Sequence, residues 1–243
     1  MESSVKNFIA KHQSFTTESF IEMLRGIVPG IGRSTVFNIL RKLCSTGEIT
    51  RVNKGHFVSA TRKEYSYELS DTAKEIVSFI KEQYPLVDFQ VWELYQMNEF
   101  VNHLLAKNTI FIEVENMLDD CIFNMLFEKY PHVLHKPGRE EYYKYLGNET
   151  IVVQKLISEA PPCIGEYRLA SLEKILVDLF GHGLPATIVS RSEYKAIYED
   201  SFSRYNINQP RMFRYARRRN AEKKIKDFIR LKTNITLEAE NDR

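Results

Sequence analysis

The sequence of 243 residues contains no continuous apolar run approaching the ~18 to 20 residues of a membrane-spanning helix. Its opening, MESSVKNFIAKHQ, lacks a basic region followed by an apolar stretch, so no secretory leader is predicted. Cys44, Cys121 and Cys163 are isolated and odd in number, which argues against a disulfide framework or a CxxC zinc site and predicts a reducing cytoplasm. GxSxG, P-loop and GxGxxG signatures are missing, as is any fixed-period repeat, and no cofactor is implied.

An excess of one charge is also missing: 34 Lys and Arg face 32 Asp and Glu. The balance conceals a segregation. Residues 1–63 carry ten basic and four acidic side chains, residues 64–203 carry twelve and twenty-three, and residues 204–243 carry twelve and five. A basic head, an acidic middle and a basic tail confine polyanion binding to the two ends.

In the head, Val5, Phe8 and Ile9 share one face of a short helix that the polar His12-Gln13-Ser14 stretch ends. A Thr after Phe15 can cap a second helix with Phe20, Ile21 and Leu24 inward, broken by Gly26, Pro29, Gly30 and Gly32. A third helix is predicted from Arg33 to about Ser45. Its buried stripe is Val36, Ile39, Leu40 and Leu43, and its other face carries Arg33, Ser34, Thr35, Asn38, Arg41 and Lys42. After Gly47, two strands flank Asn53-Lys54-Gly55, a hairpin turn in which Gly55 supplies a positive φ.

Three helices and a hairpin describe a winged helix-turn-helix, and STVFNILRKLCSTGEITRVNKGHFV resembles the recognition helix and wing of that family from Ser34 to Val58. A helix fits the major groove of duplex DNA, where Arg33, Ser34, Thr35 and Asn38 are expected near base edges. Arg41, Lys42, Arg51 and Lys54 are expected on phosphates. Such domains also serve as protein-docking modules, and the same charges would then be a solvated face.

Further along, an edge strand or linker is expected around RKEYSYELS, then a helix capped by Ser70 or Asp71 and ending before Pro85. DFQVWEL, TIFIEVE, HVLH and TIVVQKLI read as strands; MNEFVNHLLAKN, NMLDDCIFNMLFEKY and SLEKILVDLFG read as helices. Helices interrupted near Asn206 to Pro210 complete the chain to about Lys232. The expected class is α+β (mixed α/β). A winged helix-turn-helix would occupy residues 1–62, a larger α/β domain with a small sheet and basic final helices residues 70–232, and a disordered tail residues 233–243.

The winged helix followed by VWEL, NEFVNHLL, FIEVE and SLEKILVDLF resembles the AbiEi-type family of antitoxins and transcriptional regulators over roughly residues 15 to 182. The resemblance implies a bacterial repressor of its own operon that counteracts a nucleotidyltransferase-like toxin without needing a stable complex with it. It places contacts to double-stranded DNA on Arg33 to Lys42 and on the Arg51 to Lys54 wing. Antitoxin activity would belong to the C-terminal domain, on residues that no motif identifies.

Two other constellations are weighed. Glu113 and Glu115 alternate on FIEVE, with Lys155 on a second strand, a set that could hold a divalent metal in a restriction-like nuclease. The acid-x-Lys spacing on one strand is missing, so solvent-facing charges on a half-exposed sheet are the expected role. His132, His135 and Cys121 fail the paired spacing of a structural zinc site, and Glu173 and Asp178 are expected on the polar side of a core helix. In the tail, Arg211, Arg214, Arg217 and Arg218 alternate with Met212, Phe213 and Tyr215, and Arg211, Arg214 and Arg218 form a ridge. That ridge would contact nucleic acid or pair with the acidic middle. The leading expectation is a DNA-binding repressor and antitoxin without catalysis; a winged-helix-guided nuclease and an interaction scaffold are the alternatives.

Overall fold

A computed structural model of the chain describes residues 2–12, 14–45, 48–59, 63–115, 117–163, 167–235 and 237. The expected boundary at residue 62, the turn residue Gly47, and residues 236 and 238–243 of the expected tail lie outside the described residues. The fold is mixed α/β with two small sheets. No helix among the described residues is long and apolar enough to cross a membrane. Two compact units are present, Met1–Glu64 with Phe202–Asn208, and Tyr65–Ser201 with Gln209–Ile235.

The first unit runs α1 (Glu2–Lys11), β1 (Ser14–Thr16), α2 (Thr17–Ile27), α3 (Arg33–Ser45), β2 (Ile49–Asn53) and β3 (His56–Ser59). The three strands form an antiparallel sheet in the order β1-β3-β2. Thr16 caps α2 reciprocally: its Oγ1 accepts from the Ser19 amide at 3.1 Å, and Ser19 Oγ accepts from the Thr16 amide at 3.0 Å. Gly30, at φ +85°, makes the turn into α3, and Gly55, at φ +79°, closes the hairpin. Val36, Leu40 and Leu43 of α3 are buried with Phe15, Phe20 and Phe57, while Ile39 is half-buried. Strand β1 went unread in the sequence because three residues are too few to show alternation; Phe15 sits opposite Phe57 in register. The stretch expected as linker or edge strand contributes one bridge, Lys63 to Tyr205, whose backbone bonds run Lys63 N to Arg204 O and Asn206 N to Lys63 O.

The second unit continues with α4 (Asp71–Gln83), β4 (Phe89–Glu93), a 3-10 helix (Leu94–Glu99), β5 (Asn108–Val114), α5 (Asp119–Lys129), β6 (Val133–His135), α6 (Arg139–Tyr145) and β7 (Glu149–Lys155). It ends with α7 (Leu172–Asp178), α8 (Pro185–Ile188), α9 (Tyr194–Arg204, of which Phe202 to Arg204 belong to the first unit), α10 (Gln209–Arg218) and α11 (Glu222–Lys232). Its sheet has the order β4-β5-β7-β6, with β4 antiparallel to β5 and the β5-β7 and β7-β6 pairs parallel. All seven residues of β5 are buried, as befits a central strand covered on both faces. Ile110, Ile112 and Val114 face a core shared with Ile76, Val77 and Ile80 of α4 and Ile122 and Leu126 of α5. By alternation Phe111 and Glu113 face the other way, where α7 lies.

Three expectations need correction here. MNEFVNHLLAKN is not an α-helix: the 3-10 helix stops at Glu99, and Asn98 Oδ1 accepts from the Leu105 amide at 2.7 Å, closing a loop. Asn side chains that bond nearby backbone compete with helix in this way. The turn at KPGRE opens a helix the sequence reading omitted, α6, whose Tyr142 is buried and whose hydroxyl lies 2.7 Å from Thr109 Oγ1. The helix α7 has no solvent-facing side, since all seven of its residues, Glu173 and Asp178 included, are buried.

Candidate functional site

Two charged assemblies stand out, one in each unit. In the first unit, the apolar stripe of α3 fixes which side faces out, and Arg33, Ser34, Thr35, Asn38, Arg41 and Lys42 are all exposed. Arg51 on β2 and Lys54 in the hairpin turn are exposed too. Arg41 Nη1 approaches Asn38 Oδ1 at 3.5 Å, and Arg51 Nε donates to the Asn53 carbonyl at 3.2 Å. No acidic side chain pairs with Arg33, Arg41, Lys42, Arg51 or Lys54 among the described residues, and α3 carries no acid in its first turn. Phe37, absent from the sequence-derived set, is 49% exposed on this otherwise polar surface.

In the second unit the charges are buried and matched. Lys174 of α7 is fully buried, and its Nζ donates to Glu113 Oε1 at 2.5 Å and to Asp178 Oδ2 at 2.6 Å. Glu113 Oε1 also accepts from Trp92 Nε1 at 3.0 Å and from Gln154 Nε2 at 3.2 Å. Asp178 Oδ1 accepts from the Tyr215 hydroxyl at 2.9 Å and lies 3.1 Å from Arg219 Nε, close enough for an ion pair but misaligned for a hydrogen bond. Trp92 stacks on Phe111 at 4.1 Å and walls the lysine from water. Burial opposes the charge of Lys174, but Asp178 and Glu113 outweigh it and hold the ammonium above the ordinary lysine range. Burial, with the nearby charges of Asp178 and Glu113, pushes the Tyr215 phenol far above its ordinary value, so it remains a donor. Two carboxylates and two cations thus form a neutral set inside the protein.

The trio Glu113, Glu115 and Lys155 is not brought together. Glu113 is 2% exposed, so the expectation of a solvent-facing charge is overturned. In the parallel β5-β7 register Glu113 lies beside Gln154, while Lys155 lies beside Val114 on the opposite pleat. Glu115 has left the strand and accepts from the Asp88 amide at 2.8 Å. The cation that does meet Glu113 comes from α7. A signal for it existed: Lys174 and Asp178 stand at i,i+4 in a helix whose only other charged residue is Glu173, a spacing that pairs charges where no solvent is available.

Of the proposed metal ligands, Cys121 and His132 are exposed, and His135 turns elsewhere. Its Nε2 is 2.8 Å from Asp119 Oδ2 and its Nδ1 3.4 Å from Asp120 Oδ1. Those three residues are spaced closely enough to share a cation, but the Lys136 ammonium already sits on Asp119 Oδ2. Burial raises the Asp119 carboxyl, and the hydrogen bonds from Lys136 and His135 more than reverse this and leave it below its ordinary value.

In the tail, Arg214 pairs with Glu159 at 3.0 Å, Arg218 approaches the same carboxylate at 3.9 Å, and Arg217 pairs with Glu222 at 3.1 Å. Arg211 donates to the Pro162 carbonyl. The ridge is therefore engaged with its own unit, in contrast to α3. Arg219, one residue past the end of α10, carries the tail's charge into the buried set.

The solved structure of the RV2827C protein from Mycobacterium tuberculosis is similar to this chain at 12% identity and a TM-score of 0.25, covering 89% of this chain and 80% of that one. No curated protein matches. A family model matches residues 35–235, which include α3 from Thr35 onward, the hairpin and every member of the buried charge set, and the chain belongs to that family, the family of unknown function DUF6577.

Proposed function

We propose that the protein is a DNA-binding transcriptional regulator that docks α3 in the major groove of duplex DNA and lays the β2-β3 hairpin along the flanking backbone. The observation that carries this is the exposed cluster of Arg33, Arg41, Lys42, Arg51 and Lys54, which has no acidic partner among the described residues. Cations left unpaired on one helix and one hairpin gain most by displacing the condensed counterions of a polyphosphate. The order of helices and the antiparallel sheet of the first unit support a winged helix-turn-helix. Arg33, Ser34, Thr35 and Asn38 take the base edges, and Phe37 supplies an apolar surface of the kind that meets a thymine methyl.

The resemblance to AbiEi-type regulators extends the proposal. The chain represses its own operon and counteracts a nucleotidyltransferase-like toxin encoded beside it. Nothing in the geometry favours the nuclease alternative, since its three residues are dispersed. Electrophoretic shift of the DNA upstream of the operon, with wild type, Arg33→Ala, Arg41→Ala and Lys54→Ala, tests the assignment. The variants should bind more weakly; equal affinity for all four proteins defeats the site, and no shift with wild type defeats DNA binding.

A further inference from the structure

Beside the buried charge set lies a cavity of about 270 Å³, lined by residues far apart in sequence. Lys136 follows β6, Lys155 ends β7, His182 and Gly183 follow α7, and Arg219 follows α10. The cavity stands at the carboxyl ends of the parallel strands, the end of such sheets at which ligands bind. Its charges do not cancel. Glu113 and Asp178 are matched by Lys174 and Arg219, and Asp119 is matched by Lys136. That leaves Lys155, which is exposed and has no acidic partner among the described residues.

Arg219 is held in a way that a simple ion pair does not require. Its Nε is buried without an aligned hydrogen bond, and its side chain is 19% exposed. Its Nη2 lies against a loop with little side chain: a Cβ built on Gly181 would stand 2.6 Å from Nη2 and one on Gly183 3.4 Å away. Bare backbone at both positions lets the guanidinium lie flat against the loop. A guanidinium offers five donors in a planar fork, and Asp178 Oδ1 lies near one of them.

We infer that this cavity is a binding site for a small phosphate-bearing anion, held by Lys155 as a point charge and by Arg219 through its fork. The volume lies just under the ~300 Å³ lower end for small-molecule sites, room for a phosphate and a few further atoms. Bidentate pairing of guanidinium with phosphate is short and charge-assisted, and the surplus cation at Lys155 makes an anion the complementary ligand. The site shares no residue with the basic face of α3 and does not depend on DNA binding.

The test is a titration of the ¹⁵N-labelled full chain with inorganic phosphate at constant ionic strength, with sodium chloride as the reference. Saturable shifts are expected at Lys155, Gly181, Gly183 and Arg219. Lys155→Gln should weaken binding about tenfold, equivalent to ~1.4 kcal/mol, whereas Lys144→Gln, the same charge loss on exposed α6, should leave it unchanged. Arg219→Lys keeps the charge that faces Asp178 and loses the fork, and should also bind more weakly with its melting temperature recorded alongside. The inference is overturned if no shift saturates, or if Lys155→Gln and Lys144→Gln bind alike. It is also overturned if the shifts centre on Ser158, Ala160 and Cys163, which line a neighbouring cavity of about 850 Å³ that shares Lys155.

Discussion

The surface of α3 with its hairpin and the interior beneath α7 are both built from lysine and arginine, yet they differ in every respect that governs what a cation does. On the first, the cations are exposed and lack acidic partners among the described residues, so their favourable interactions are still to be made. In the second, Lys174 has already made them, with Glu113 at 2.5 Å and Asp178 at 2.6 Å. The lesson is that the number of charges in a segment says little, and the ratio of partners to charges says much. Unpaired surface cations report on an external polyanion; paired buried ones report on the fold.

The sharpest way to break this comparison is at Lys174. Lys174→Met leaves two buried carboxylates, Glu113 and Asp178, against the single remaining cation of Arg219, so unfolding free energy should fall by about 3 to 5 kcal/mol, measured by urea denaturation. Adding Glu113→Gln to that variant should recover part of the loss, because the double variant leaves Asp178 paired with Arg219 and buries no uncompensated charge. A Lys174→Met protein as stable as wild type would mean that the set contributes nothing to the fold.

On the opposite side of the comparison, Arg33→Ala should cost about 1 to 3 kcal/mol in DNA binding if the side chain reaches a base edge. Lys54→Ala should reduce the slope of log affinity against log salt by about one phosphate contact. Neither should move the unfolding midpoint, because both side chains are exposed and unpaired. A stability change as large as the binding change would merge the two regions into one class.

How much of this contrast was legible before the structure follows from the same physics. The helix α3 was readable because burial there follows a 3.6-residue stripe, and a stripe that fixes the inside also fixes which residues face out. The hairpin was readable from Gly55, whose φ of +79° few other residues adopt. The buried set was not, because periodicity reports polarity as exposure and assigns every charge to the outside. Glu113, Lys174 and Asp178 break that rule together, each tolerable only because the others are present. Their partners Trp92, Gln154, Tyr215 and Arg219 come from β4, β7 and the end of the chain, and no local pattern links them. The loop after Glu99 was misread for a different reason: apolar residues at helical spacing were outvoted by Asn98, which bonds to Leu105 instead.

A smaller effect is expected at Asp119, which is nearly buried yet paired at the surface with Lys136 and His135. Its carboxyl is held below its ordinary value of 3.8, so its stabilising contribution is present above that value and is lost as pH falls through the lowered one. Asp119→Asn should therefore be less stable than wild type at neutral pH, and the gap should close as the solution is acidified below about pH 4. Melting temperatures of the two proteins across that range decide it; a gap that persists in acid would assign the loss to packing.

The smallest effect belongs to the tail, and it tests the comparison at its boundary. Arg214 and Arg218 are exposed like the cations of α3 but share Glu159 as a partner. An exposed pair of this kind contributes under about 1 kcal/mol, so Glu159→Gln should barely alter stability. What it does is release two arginines without adding any. If partner ratio is what separates a structural cation from one that binds polyanion, the freed ridge should acquire weak, salt-sensitive affinity for non-specific duplex DNA. Any DNA affinity carried by α3 and its hairpin should not change, since Glu159 pairs with Arg214 and Arg218 and with none of their cations. Should wild type and Glu159→Gln bind non-specific DNA equally at low salt, then proximity of an acid does not silence a surface arginine here, and the unpaired state of Arg33, Arg41 and Lys54 loses its diagnostic value.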